Sequence, residues 1–331
     1  MLQGWIFRSP GRLCADVQQR RPKPKFKEPI AMTERLTGMF AALMTGLDDS
    51  GQFDAGRQRS LTAHVLKQGL AGLYVGGSSG ESGLLDAAEL AEQQEVVADC
   101  AKDSGAVLIA HVGMPNLRDS IRLAKRAAEL GYHALSALPP HSYPFSDAEI
   151  EAYYRDLAAA TDLPMIVYEV PVRTGRPIAL DALERILDLH NVAGIKFSSM
   201  DLFKLSMLRR RRPDSRYFFG YDEVYLSGAV LGADGGIGST YNILGRLYVT
   251  LDQAVRAGDL PRAQELQDVS QIFVEALLKT GVLPGLKAAF RVQGVEVGRT
   301  RAPMALQMPD DAAEAHMRAV MDRPEVAAWL A

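Results

Sequence analysis

From Leu36 onward, short apolar runs alternate with stretches in which apolar residues recur every three or four positions. The first pattern predicts buried strands and the second amphipathic helices. Strands are expected at Met39–Leu47, Leu73–Gly76, Val107–Val112, Ala134–Leu138, Met165–Val170, Ala193–Phe197, Tyr217–Gly220 and Gly235–Gly238. Helices are expected between them at Arg57–Gln68, Ala87–Lys102, Leu117–Leu130, Asp147–Ala159, Leu180–Leu189 and Asp201–Arg210. Alternating strand and helix implies a parallel sheet with right-handed crossovers. Eight strands in about 200 residues favour closure into a (β/α)8 TIM barrel, class α/β. An open doubly wound sheet is the competing arrangement, but no Gly-x-Gly-x-x-Gly opens a first helix after a strand.

Beyond Ile243 only the helical period remains. Pro261–Thr280 carries one apolar face of Leu266, Val269, Ile272, Phe273, Leu277 and Leu278, and further helices are expected at Leu286–Val292 and Asp311–Met321. The expected organisation is a basic N-terminal extension over residues 1–32, a catalytic barrel over 33–243 and a C-terminal helical appendage over 244–331.

Composition narrows the class. The 331 residues are 47% hydrophobic and 23% charged, ordinary for a soluble globular enzyme. A formal charge of −3 argues against nucleic acid or an acidic membrane as partner, and no apolar stretch approaches the ~20 residues that span a bilayer. Cys14 and Cys100 have no metal-ligand spacing and make no disulfide framework, and none of the six histidines sits in a metal-binding pattern. A reducing cytoplasm fits this usage. The first 28 residues differ: Arg8, Arg12, Arg20, Arg21, Lys23, Lys25 and Lys27 face only Asp16 and Glu28, with prolines at 10, 22 and 24. Such a segment cannot bury a core and is expected to be disordered. It lacks the apolar centre of a signal peptide, and Met32 is an alternative start.

Chemistry in a barrel gathers at the C-terminal ends of its strands. There the chain places Gly76-Gly77-Ser78-Ser79-Gly80-Glu81, Tyr168-Glu169-Val170-Pro171-Val172-Arg173, Lys196-Phe197-Ser198, Gly220-Tyr221-Asp222-Glu223 and Gly238-Ser239-Thr240. Lys196 closes the apolar run Val192-Ala193-Gly194-Ile195. Desolvation there disfavours the ammonium and lowers its pKa, as an amine needs in order to attack a ketone and form a Schiff base. Taken singly, each residue has a plainer reading. Lys196 can be a strand-end lysine reaching solvent, Tyr168 a core tyrosine with a satisfied hydroxyl, and Asp222 and Glu223 caps of the following helix. His111 is expected to be packed and hydrogen-bonded without a role. The run Arg209–Arg212 complements the negative end of its helix.

Together these motifs resemble the N-acetylneuraminate lyase and dihydrodipicolinate synthase superfamily of pyruvate-dependent class I aldolases, from about Gly38 to Gly281. The lyase branch is the more similar, through Gly72-Leu73-Tyr74-Val75-Gly76-Gly77-Ser78, Ala110-His111-Val112-Gly113, Tyr143-Pro144-Phe145-Ser146 and Gly232 to Ile243. The resemblance implies that Lys196 forms the imine and that Tyr168 shuttles a proton to or from the C4 hydroxyl of a 2-keto-3-deoxy sugar acid. It implies that Ser78 and Ser79 hold the pyruvate carboxylate on oriented donors. Gly220, Asp222, Glu223, Ser198 and Ser239 would bind the polyhydroxyl tail. It also implies a small keto acid substrate, no metal or organic cofactor, and a homotetramer built as a dimer of dimers.

Departures from the lyase pattern bear on this expectation. Ser142 falls where the family has a tyrosine that reaches a neighbouring subunit's proton relay, leaving Tyr143 or a water to substitute. Arg173 replaces an apolar residue; synthases use an arginine there to bind a carboxylate, a bidentate pairing that arginine suits. Glu169, in place of the commoner asparagine, is a candidate internal partner for Arg173. Ser198 replaces a threonine and keeps the hydroxyl. The leading expectation is cleavage of N-acetylneuraminate to N-acetylmannosamine and pyruvate. The alternatives are a 2-keto-3-deoxygluconate-type aldolase, a keto-deoxy sugar acid dehydratase, a dihydrodipicolinate synthase, or a non-catalytic sugar-acid binding protein.

Overall fold

The computed structural model describes residues 33–330. The basic extension and Cys14 lie outside them. Eight parallel strands close into a barrel in sequence order: β1 Gly38–Ala42, β2 Gly72–Val75, β3 Val107–His111, β4 Ala134–Ala137, β5 Met165–Glu169, β6 Val192–Phe197, β7 Arg216–Phe219 and β8 Gly235–Gly238. β8 pairs back onto β1, so no strand edge is left open. The chain is thus the expected (β/α)8 barrel.

Side chains on a strand alternate between its two faces, and this alternation divides the core in two. Phe40, Tyr74, Ile109, Ile166, Phe218 and Ile237 fill the barrel interior. Met39, Leu73, Leu108, Leu135, Val167, Ile195 and Phe219 face the surrounding helices. The interior layer forms a packed floor, so chemistry has room only above it, at the strand ends.

The connecting helices start where side chains satisfy their free N–H groups. Asp54, Asn116 and Asp201 cap the helices Ala55–Leu66, Leu117–Glu129 and Leu202–Arg211. Asp86 with Glu89, and Ser146 with Glu149, form reciprocal capping boxes for Ala87–Ala101 and Asp147–Ala158. Arg209 and Arg212 do more than complement their own helix end: Arg209 donates to the Gly232 carbonyl at 3.0 Å, and Arg212 pairs with Asp188 at 2.8 Å.

β1 is shorter than the apolar run Met39–Leu47 suggests. Met44 N donates to the Asn242 side chain at 3.3 Å and Gly46 N to Gln58 Oε1 at 3.0 Å. The backbone there is satisfied by side chains, and the ladder ends at Ala42. After β8 come the helices Tyr241–Arg256, Leu260–Thr280, Val282–Val292 and Asp310–Met321. They pack against the barrel through Leu247, Leu266, Phe273, Leu277, Leu286 and Phe290, all buried in the outer core. Among the described residues no single helix is long and apolar enough to cross a membrane.

Candidate active site

Parallel pairing of β5 and β6 sets Tyr168 opposite Lys196. Gly194 and Lys196 fall on the inner face of β6, while Ile195 and Phe197 pack outward. Lys196 is only 3% exposed, and its Nζ lies 4.1 Å from the centre of the Tyr168 ring and 4.3 Å from that of Tyr74. Burial lowers its pKa, and the nearby Tyr168 and Asp222 offset part of that fall. Burial alone would raise the Tyr168 phenol; the charge on Lys196, the Ser78 hydroxyl, Arg173 and the Ser198 hydroxyl together outweigh it and hold the phenol below its ordinary value. The phenol is therefore acidified while the nitrogen beside it is positive. That timing suits a proton shuttle paired with a cationic imine.

The loop after β2 turns through a single 3-10 turn, Ser78–Gly80. Ser79 Oγ shares a 2.6 Å hydrogen bond with Ser239 Oγ from the end of β8. Ser78 Oγ is buried beside the Tyr168 phenol and makes no hydrogen bond of full geometry. Thr45 Oγ1 donates to the Gly80 carbonyl at 2.6 Å and itself accepts from Gln93 Nε2 at 2.8 Å. Glu81 ends the turn in the left-handed region, φ 60°. Its fully buried carboxylate pairs with Lys287 Nζ at 2.8 Å and accepts from Arg301 N at 2.7 Å. These ties fix two hydroxyls and a run of backbone N–H groups in one orientation, a concavity suited to an anion.

On the facing side, Asp222 Oδ2 accepts from Thr240 N at 2.8 Å and from Thr240 Oγ1 at 2.7 Å. Asp222 thus tethers the next strand's loop and does not cap its own helix. Its Oδ1 is buried without a partner, and burial pushes its pKa up to about 6. Glu223 is half-buried in the same turn. The Asp222 and Glu223 carbonyls accept from Gln267 Nε2 at 3.0 Å and Gln271 Nε2 at 2.9 Å. At Gly220 a Cβ would stand 2.0 Å from Ser198 Oγ and 3.5 Å from Lys196 Cε. Only glycine leaves the Ser198 hydroxyl its position.

Arg173 is exposed on the short helix Pro171–Thr174. The expected alternative, a pair with Glu169, is not formed. Glu169 is fully buried and bound instead to Lys204 Nζ at 2.8 Å and to Ile178 N at 3.2 Å. Glu169 ends the outward alternation of β5, so it faces the helix that carries Lys204, away from the strand ends. The Arg173 charge is felt at Lys196, Tyr168 and His111. His111 is packed as expected: Nδ1 lies 2.9 Å from the Gly76 carbonyl, Nε2 accepts from Leu138 N at 3.2 Å, and burial lowers its pKa to about 3. Ser142 is exposed, and Tyr143 is 73% exposed, on a loop that with Thr174 and Arg176 borders a cavity of about 360 Å³.

The structure therefore brings Lys196, Tyr168, Ser78, Ser79, Ser198, Gly220, Asp222 and Ser239 to one end of the barrel, with Glu223 and Arg173 less buried beside them. Tyr74, Thr45, Thr240 and the Glu81–Lys287 pair also build this region and were given no role in the sequence. Tyr74 lies within a quoted motif, where its inward-facing strand position was the available signal. Nothing local connects residue 81 to residue 287.

A model of the dihydrodipicolinate synthetase family matches residues 35–321. The N-acetylneuraminate lyase of Salmonella agona is 42% identical over 276 residues, covering 83% of this chain and 93% of that protein. Among solved structures, a catalytic lysine mutant of the Ruminococcus gnavus sialic acid aldolase superposes with a TM-score of 0.84 at 27% identity, over 90% of this chain and 99% of that one. The N-acetylneuraminate lyase of Fusobacterium nucleatum complexed with pyruvate gives 0.81 at 31% identity, over 87% and 96%.

Proposed function

The chain belongs to the dihydrodipicolinate synthetase family, and on that premise we propose that this Schiff-base aldolase cleaves N-acetylneuraminate to N-acetylmannosamine and pyruvate. The observation that carries the reading is the buried Lys196 nitrogen, packed over the Tyr168 ring at 4.1 Å beside a hydroxyl-lined turn. The keto acid's carboxylate is held by Ser78, Ser79 and the turn's N–H groups. The neutral amine of Lys196 adds to the C2 carbonyl. Tyr168 protonates the departing hydroxyl, water leaves, and a cationic imine remains beside a phenolate. That phenolate takes the C4 hydroxyl proton. The C3–C4 bond breaks, its electron pair moving into a C2–C3 double bond as the imine becomes a neutral enamine, and C4 leaves as the aldehyde. Protonation at C3 and hydrolysis release pyruvate and the amine. The imine is the electron sink, so no metal or organic cofactor enters this reading. Ser198, Ser239, Asp222 and Glu223 receive the sugar hydroxyls. Borohydride added with pyruvate is expected to leave a stable adduct on Lys196, read by peptide mass spectrometry; an unmodified Lys196 rejects the mechanism.

Arg173 supports a second reading, in which the aldehyde half carries its own carboxylate. Its guanidinium is exposed near the site and Glu169 is committed to Lys204. All these substrates use the same lysine, so trapping does not separate them. Pyruvate release across a panel of keto-deoxy sugar acids does.

We also assign the chain to the cytoplasm as a homotetramer. The apolar side chains of Tyr143, Val172, Met200 and Phe203 follow the ends of β4, β5 and β6 and are 58–79% exposed, a surface that self-association would cover. Native mass of a monomer at micromolar concentration would reject the tetramer.

A further inference from the structure

The Lys196 nitrogen has a charge problem. Among the described residues no carboxylate lies within ion-pair range of it, yet it must carry a positive charge for as long as it is an imine awaiting bond cleavage. What does contact it is tyrosine: the hydroxyl and ring of Tyr168 and, roughly at right angles, the ring of Tyr74, with ring centres 4.1 and 4.3 Å from Nζ. The two rings meet edge to face, 6.2 Å apart at 82°. A cation over an aromatic face in a desolvated site is attracted by the ring's quadrupole, more strongly than at a surface.

Tyr168 has a second task for its hydroxyl, whereas Tyr74 does not. The Tyr74 hydroxyl points away from the site, donating to Ser136 Oγ at 2.9 Å, which in turn donates to the Ile166 carbonyl at 2.8 Å. Tyr74 is fully buried, and its phenol is pushed well above the ordinary range. The ring is also clamped from above, since a Cβ at Gly77 would stand 2.4 Å from it. A group whose hydroxyl is committed elsewhere and whose face is held against the reacting nitrogen offers that face alone. Resting on the Schiff-base reading of Lys196, we propose that Tyr74 is a further catalytic residue: its ring face stabilises the cationic Lys196 nitrogen, first as ammonium and then as the imine that accepts the electrons of the broken bond. A merely core-filling Tyr74 would have no effect on the charge state of Lys196.

The experiment varies the face and keeps the shape. Residue 74 is replaced by phenylalanine and by 3,4,5-trifluorophenylalanine, whose fluorines withdraw electron density from the ring. Two quantities are read: the pH dependence of Lys196 acylation by a small reagent, which needs no turnover, and kcat for keto-acid cleavage. Tyr74→Phe, which keeps the ring face and loses only the hydroxyl bound to Ser136, is the reference against which the trifluoro protein is read. With the trifluoro ring the amine pKa is expected to fall by roughly 0.5–1.5 units and kcat by about 10-fold. The acylation midpoint thus moves to lower pH while catalysis slows, whereas a loosened fold would hydrate the amine and move that midpoint up toward the ordinary lysine value. Equal amine pKa values in the phenylalanine and trifluoro proteins overturn the proposal, as does a Tyr74→Phe loss as large as the trifluoro one. If native Lys196 fails to form an adduct with pyruvate, the aldolase reading fails first, and the acylation profile still tests the platform.

Discussion

Lys287 is the best place to test how the C-terminal helices hold the site. Its ammonium and the Glu81 carboxylate are each essentially inaccessible, 1% and 0% exposed as side chains, and 2.8 Å apart. Lys287 also donates to the Arg299 carbonyl at 2.8 Å, and Glu81 accepts from Arg301 N at 2.7 Å. Lys287→Met removes one charge and leaves the other buried. Breaking such a pair costs ~3–5 kcal/mol, because the orphaned carboxylate must be desolvated alone or protonated. The bare Coulomb attraction at low dielectric is far larger but is nearly cancelled by that same desolvation. Glu81→Gln with Lys287→Met removes both charges and keeps an acceptor for Arg301 N, so at least half of the single-variant loss should return. Urea unfolding at pH 7.5 for the two singles and the double gives the coupling energy directly. Glu81 N donates to the Ser78 carbonyl at 3.1 Å, so the singles should also raise KM for the keto acid more than they lower kcat. A Lys287→Met cost under ~1 kcal/mol, or additive singles, would refute the argument that this pair is a mutually dependent buried unit.

Two further outcomes follow from the site. Asp222 has its pKa raised to about 6 from 3.8 by burial, so between about pH 4 and 6 the folded protein holds more protons than the unfolded chain. Stability from this group is therefore greatest below pH 4 and declines as pH rises through 6; Asp222→Asn should flatten that slope and stabilise the protein by up to ~3 kcal/mol at pH 8, while lowering activity on hydroxylated substrates, and an unchanged pH–stability curve would contradict it. Tyr168→Phe should form the borohydride-trapped adduct more slowly, since solvent must then protonate the departing hydroxyl, and cut cleavage by ~100-fold or more, since it loses the proton shuttle and keeps the ring; native-like turnover would remove the phenol from the mechanism.

The barrel was legible because its signals are local. Eight apolar runs, the helical periods between them and the strand-end polar residues are each read within a short stretch of chain. The end of β1 was not, because Met44 and Gly46 leave the ladder for Asn242 and Gln58, one of them 198 residues away. Glu169 misled for the same reason: four residues separate it from Arg173, but strand alternation turns it outward to Lys204. Sequence proximity suggested a partner that the geometry of a strand forbids.

The same long-range ties give the C-terminal helices a task beyond covering the barrel. Gln267 and Gln271 on Leu260–Thr280 hold the Asp222 and Glu223 carbonyls, and Ser270 bonds to Tyr248, whose hydroxyl lies 2.7 Å from the Thr240 oxygen that donates to Asp222. Lys287 on Val282–Val292 holds Glu81 at the other loop. One pair of consecutive helices thus grips both sides of the candidate site, the Ser78–Gly80 turn and the Asp222–Glu223 segment. On the proposed reading, a displacement of Leu260–Thr280 would be felt at the sugar tail and one of Val282–Val292 at the carboxylate, so the spacing between the two rests on helices that contribute no residue to the reaction.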